Sequence, residues 1–211
     1  MTAVITVAGP ATDDEVTSLV RACSPESLRL RFMLGGPPDA ERILLLYRGY
    51  LLAGTALVAK VGNVPIGLLN LVPDDVCRAD LGILVADAWH RRGVASTLIR
   101  HAWREARWLG WTVHATVQEG NAPAEGLLRR HGFRLVPVFE RGERDFELVV
   151  TASLANVVKE VVDGGEAGQG ADGVQRRAAA EDAGGRRHRH AGRGRARGCA
   201  AGLAPALLPP G

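Results

Sequence analysis

Cysteine is scarce and shows no pairing pattern: Cys23, Cys77 and Cys199 are odd in number and none sits in a C-x-x-C spacing. This excludes a disulfide framework and a cysteine-based metal site, and it predicts free thiols in a reducing compartment. No apolar run approaches the ~18–20 residues of a membrane span, which excludes a transmembrane helix and a membrane partner. The first residues lack the basic-then-apolar pattern of a secretory signal, so a cytoplasmic protein is expected. Lysine occurs only at Lys60 and Lys159 while arginine is abundant, which reads as a coding habit without functional weight. Aromatic residues stop before residue 163.

That last absence divides the chain. Residues 1–162 have apolar content ample for one domain of ordinary size. From Asp163 onward glycine and alanine make up about half of the residues, a composition that cannot offset the entropy of ordering. We therefore expect a folded domain over 1–162 and a disordered tail over 163–211. Charge divides the same way. The first part carries 18 basic and 18 acidic side chains, the tail 8 arginines against 5 acids, so the net +3 belongs to the tail. The run from Arg186 to Arg197 is basic enough to touch phosphates. Its alanine, glycine, arginine and proline mixture resembles translated GC-rich sequence outside a selected frame. His188 and His190 alone make no metal site, and no metal is expected anywhere.

The richest stretch runs from Leu81 to Ser96. An apolar segment suited to a buried strand passes through a polar turn into Arg91-Arg92-Gly93-Val94-Ala95-Ser96 and then an amphipathic helix. The first N–H groups of such a helix have no internal partner, and the peptide dipoles aim positive charge outward. Small residues at Gly93, Ala95 and Ser96 would let an anion, a pyrophosphate for example, approach the main chain. The turn lacks the Gly-Lys-Ser/Thr ending of a P-loop and the three glycines of a dinucleotide fingerprint.

Periodicity and caps supply the remaining elements. Ala3 to Val7 reads as a strand, and Thr12 with Glu15 as a capping box opening a helix toward Ala22. Ser24-Pro25 starts a second helix and Asp39 to Leu46 forms a third. Leu51 to Val61 and Val64 to Val72 are strands joined at Gly62-Asn63, with the next turn at Asp74-Asp75. Arg78 to Ala86 is the strand before the cradle. The helix from Val94 is expected to run to Leu109 and stop at Gly110, with Trp103, Trp108 and Trp111 packing it. Trp111 to Val117 is a strand, Pro123 to His131 a helix, and Phe133 to Pro137 and Phe146 to Val150 are strands. Leu154 to Val162 is expected as a last helix. Strand, helix and strand over 81–117 imply a parallel pair within an otherwise antiparallel sheet.

His90 to Ala95 resembles the Gln/Arg-x-x-Gly-x-Gly/Ala motif of the GNAT N-acetyltransferase superfamily. Asn121-Ala-Pro-Ala-Glu-Gly-Leu-Leu-Arg-Arg-His-Gly-Phe133 resembles that family's second hallmark. Ser24 to Phe32 looks like the Ser-Pro-Glu-Ser-x-x-x-Arg-Phe segment of its bacterial protein-lysine (Pat-like) branch. Spanning about residues 3–150, the resemblance implies an α/β fold whose mixed, mostly antiparallel sheet splays between strands 4 and 5 and is flanked by helices.

It also implies acetyl-CoA as cosubstrate. Main chain at Ile83, Leu84 and Val85 would hold the pantetheine arm, and Arg91, Arg92, Gly93, Val94, Ala95 and Ser96 would wrap the pyrophosphate. Asn121 would bond the cofactor, or simply cap its helix. Asp80 stands where the branch carries a glutamate and is the candidate general base. An edge-strand or salt-bridged aspartate is the bland alternative. His90 departs from the motif and His114 reads as a packed histidine, so neither receives a catalytic role. Leu128 replaces the tyrosine acid of many members, and Thr116 a glutamate of some.

The implied activity is acetyl transfer to a primary amine, a protein lysine by branch resemblance or else a small-molecule amine. The missing tyrosine keeps open a non-catalytic acyl-CoA-binding sensor. A nucleic-acid partner would rest on the tail alone. Monomer and homodimer are both compatible with the sequence.

Overall fold

The computed structural model describes residues 4–75, 77–137 and 142–152. The expected helix at 154–162 and the tail lie outside them. Five helices, α1 (Asp13–Arg21), α2 (Pro25–Phe32), α3 (Ala40–Leu51), α4 (Val94–Ala102) and α5 (Ala122–Arg130), cover the two faces of a sheet. Its strands are β1 (Thr6–Ala8), β2 (Thr55–Val61), β3 (Val64–Asp75), β4 (Arg78–Val85), β5 (Thr112–Gln118), β6 (Arg134–Val136) and β7 (Glu143–Val149). They lie in the order β1-β2-β3-β4-β5-β7-β6, and every neighbouring pair is antiparallel except β4 with β5. This is the mixed α/β sheet that the motifs imply.

Two cores result from the period-2 alternation of strand side chains. Leu57 and Ala59 of β2 meet Val94, Leu98, Ile99 and Trp103 on one face. Ala56 and Val58 meet Val16, Leu19, Leu28, Phe32 and Ile43 on the other. Gly67 lets α4 lie close to β3, since a β-carbon there would fall 2.7 Å from a Val94 methyl.

Local signals placed several ends. Thr12 and Glu15 form the capping box, Ser24 and Asp39 cap α2 and α3, and Gly62 at φ 58° turns β2 into β3. Elsewhere tertiary packing decides. Helix α3 continues five residues beyond Leu46 because Leu51 is fully buried, and the chain turns only at Gly54. At φ 65° with Leu71 carbonyl oxygen 2.0 Å from a β-carbon position, Gly54 admits no side chain. Strand β3 runs through Asp74 and Asp75, where a turn was expected. Helix α4 stops at Ala102, short of the expected Leu109. Trp103 and Trp108 are both buried, yet five residues of helix would set them about 140° apart. The chain breaks into a 3-10 turn over 106–108, so both indoles enter one core, and Leu109 is left exposed. Among the cysteines, Cys23 is a buried free thiol, pushed up to about 12 by burial and the Asp87 charge. Cys77 is disulfide-bonded, which corrects the expectation of three free thiols. An odd count leaves room for one bridge.

Helix α2 is tied to the end of β4. Asp87, just beyond that strand, accepts from Ser24 N–H at 2.7 Å, Ser24 Oγ at 2.7 Å and Ser27 Oγ at 2.9 Å. Burial opposes ionisation of Asp87, but the hydrogen bonds from Ser24 and Ser27 outweigh it and hold the carboxyl below its ordinary value. Replacing Asp87 by Ala is expected to cost about 1–3 kcal/mol of unfolding free energy at pH 7. A lowered folded pKa stabilises fully above the unfolded value near 4 and is lost as pH falls through the folded one. In urea titrations the gap between the two proteins should therefore narrow as pH falls below ~4 and close below the folded value; a gap undiminished through that range would deny the carboxylate this role.

Candidate functional site

Strands β4 and β5 are paired only over Arg78–Thr112, Ala79–Val113 and Asp80–His114. Beyond Asp80 they part. Among the described residues the β5-facing edge of β4 from Leu81 to Val85 has no strand partner, although β3 still pairs its other edge up to Val85. Leu30 and Arg31 of α2 and Leu127 and Leu128 of α5 border the gap, which holds a cavity of about 90 Å³. Backbone polar groups in such a gap need a ligand, water or another strand.

The gap opens into a cleft of about 860 Å³ beside the start of α4. Ile83, Leu84, Val85, Arg91, Gly93, Val94, Ala95, Ser96 and Asn121 all line it. Arg91 and Gly93 adopt left-handed conformations, φ 60° and 80°, and Gly93 is the helix cap with open space where its side chain would be. Thr97 N–H closes the first bond, onto Gly93 carbonyl at 2.9 Å. The N–H groups of Val94, Ala95 and Ser96 are thus left without intrahelical partners. Arg91 and Arg130 add positive charge to the lining. An elongated ligand with an anionic end fits this combination of a free strand edge and a bare helix start.

Two residues expected at the site stand apart from that lining. Arg92 lies over the Trp89 ring at 5.2 Å. Asp80 borders neither cavity; it is exposed on β4 immediately before the strands part, on the α2 face. Desolvation first, then the Asp74 charge, raises its pKa, against opposing effects of His114 and Arg78. A carboxylate with an elevated pKa at the mouth of a gap is suited to accept a proton. Asn121 caps α5, accepting from Ala124 N–H at 3.3 Å, while also lining both cavities.

Several groups here escaped sequence reasoning. His90 Nε2 lies 2.8 Å from Val85 carbonyl, closing the top of the strand. His131 Nε2 stands 3.0 Å from Ser96 Oγ, and burial foremost, then Arg100 and Arg130, lowers its pKa, so the ring is neutral at pH 7. His114 Nδ1 is 3.2 Å from Glu147, and its buried Nε2 has no partner. Thr116 donates to Asp145 at 2.6 Å, so β7 supplies a carboxylate beside the position where β5 lacks one. Only cross-strand register reveals the last two pairs. Among the described residues no group of three His, Cys, Asp or Glu is placed to hold a metal ion, and no helix is long and apolar enough to cross a membrane.

A family model described as the acetyltransferase (GNAT) family matches residues 26–133. No curated protein matches the chain. The GNAT domain of S. lividans PAT superposes with a TM-score of 0.56 at 22% identity, over 68% of this chain and 88% of that one. YncA of Salmonella typhimurium with acetyl-CoA gives 0.55 at 18% identity, over 70% and 95%. A phosphinothricin acetyltransferase from Sinorhizobium meliloti, in complex with acetyl-CoA, gives 0.55 at 16% identity, over 72% and 90%.

If the helix start grips an anion, Gly93→Val should weaken coenzyme A binding at least ~10-fold, since an L side chain in the left-handed region costs about 1–2 kcal/mol and crowds the cradle. Calorimetry reads the affinity and a thermal melt controls for folding. Equal affinity in a folded variant would remove Gly93 from the binding surface.

Proposed function

The chain belongs to the GNAT acetyltransferase family, its model matching just over half of the length, and we propose that this member transfers an acetyl group from acetyl-CoA to a primary amine. The observation that carries this reading is the joining, in one cleft, of an unpaired β4 edge with the bare N-terminus of α4. The thioester arm would lie along Ile83, Leu84 and Val85 as a strand substitute, and the pyrophosphate would sit on Gly93 to Ser96 with Arg91. Arg92, turned onto Trp89, would serve the outer rim.

An amine with a lysine-like pKa is protonated at pH 7, and freeing it costs about 4–5 kcal/mol. Asp80 would draw off that proton, directly or through water. The neutral nitrogen attacks the thioester carbonyl, a C–N bond forms, the C–S bond breaks, and the thiolate leaves to be protonated by solvent. Leu128 supplies no acid for that last step, which slows it without preventing it. For the acceptor, the resemblance of Ser24 to Phe32 points to a lysine of a protein. A small-molecule amine that also carries a carboxylate is the second reading, favoured by the guanidinium of Arg31 in the lining of the cleft. A non-catalytic acyl-CoA-binding sensor would keep the cleft and show no turnover.

Thiol release from acetyl-CoA over a panel of peptides and amines tests the activity. Asp80→Asn is expected to lower kcat about 10²–10⁴-fold while coenzyme affinity is kept. Because the Asp80 pKa is raised, wild-type kcat/KM should fall on acidification from a pH above the ordinary carboxylate range, and the variant should lose that limb. Undiminished turnover by the variant would take Asp80 out of the mechanism.

A further inference from the structure

Arg31 carries a charge that no carboxylate among the described residues answers. Its neighbour on α2, Arg29, pairs with Glu26 at 2.8 Å. Arg31 instead donates to Asn70 Oδ1 at 3.2 Å, and its guanidinium stands 5.2 Å from the Phe32 ring and 5.8 Å from the Tyr50 ring. Its Nε is sealed from solvent without a partner. Burial lowers its pKa, with Tyr50 opposing, yet a guanidinium stays charged at neutral pH. Neutral partners and ring faces offset only part of the cost of desolvating a cation.

The protein has made room for this charge. Gly82 lies opposite Asn70 in the β3–β4 register. A β-carbon on Gly82 would fall 1.7 Å from Arg31 Nη2 and 2.6 Å from Asn70 Oδ1. The backbone of Gly82 needs no glycine, so the missing side chain serves to admit the guanidinium against the strand. There Arg31 borders both the small cavity and the large cleft.

Asp80 precedes Gly82 by two residues, hence shares its sheet face about 7 Å along the strand. Arg31, which borders the cleft, and Asp80, exposed just outside that lining at the position of the proposed base, thus stand on one face of the strand. In an α-amino acid the ammonium and carboxylate are joined through a single carbon. With a charge-assisted hydrogen bond of about 2.8 Å at each end, such a zwitterion spans about 7–9 Å between its two partners. A lysine side chain within a protein has no carboxylate beside its amine.

Resting on the small-molecule reading of the acetyl transfer, and against the protein-lysine reading, we propose that Arg31 anchors the carboxylate of the acceptor, which is a free amino acid held between Arg31 and Asp80. In the transfer the ammonium loses its proton to Asp80, the C–N bond forms, the C–S bond breaks and the coenzyme leaves as its thiolate.

The test uses the full chain as wild type, R31K and R31Q. Thiol release is measured with amino acids, with their carboxamides and with the matching decarboxylated amines. Wild type should prefer the acid over its carboxamide by about 100-fold in kcat/KM, as loss of a desolvated charge pair requires. R31Q should erase that preference mainly through KM, and R31K should restore part of it. Acetyl-CoA binding by calorimetry and the thermal melt establish that each variant is folded. A wild type indifferent to the carboxylate, or an R31Q loss equal for acids and amides, would overturn the anchor. A second arm needs no turnover: binding of an N-acetyl amino acid and of its amide to protein saturated with coenzyme A. Preference for the acid that vanishes in R31Q supports the anchor, and no preference overturns it. Absent thiol release with every acceptor would instead strike the acetyl-transfer reading, and this binding arm would still judge Arg31.

Discussion

The hydrogen-bond ladder between β4 and β5 is cut short, and the opening that holds the candidate site follows from that interruption. Three residue pairs join the strands, ending at Asp80 and His114, and then the ladder stops. A strand edge inside a domain is normally covered, because each unpaired N–H and C=O is costly away from water. Here the edge is kept open from both sides. Leu30 reaches the gap from α2 and Leu127 from α5, so the helices that close the two cores also hold the strands apart. The turn after β4 then delivers Gly93 and the start of α4 to the end of the same opening. A coenzyme with a peptide-like arm and a diphosphate is the type of molecule these two features suit together.

How much of this was legible in the sequence depended on whether the deciding interaction was local. Thr12 with Glu15, Ser24 with Pro25, and Gly62 with Asn63 act within four residues, and each element began or turned where they place it. The helix start at Gly93 and Val94 was legible for the same reason, since a cap and a first turn are built from consecutive residues. Boundaries set by burial were not. Nothing near Leu46 says that Leu51 will be fully buried, and nothing within α4 says that Trp103 and Trp108 must enter one core. Side chains meeting across strands or layers were the least visible. Thr116 with Asp145 and His114 with Glu147 arise from the β5–β7 register, and a strand order running β5-β7-β6 brings β7 rather than β6 alongside.

Gly82 was the one local hint left unused. A glycine in the middle of an apolar strand marks a place where something approaches closely. Its visitor is a guanidinium from a helix more than fifty residues earlier in the chain. The same helix is fastened at its other end by Asp87. Helix α2 therefore borders the cleft with one end fixed to the turn after β4 and the other to Asn70 of β3, a wall and not a flap. Asn70, almost wholly buried, completes the fixture by accepting from Arg31 and donating to Tyr50 carbonyl at 3.1 Å.

The three-pair junction has a mechanical consequence. Strands β1 to β4 form one plate and β5 to β7 another, joined at a single corner of hydrogen bonds. Whatever wedges itself between the plates gains contacts with both, and mass action then raises the unfolding free energy with the logarithm of its concentration. Filling the slot would thus do the work of a missing rung, and the fold's resistance to heat would keep climbing with ligand concentration even after every slot is full.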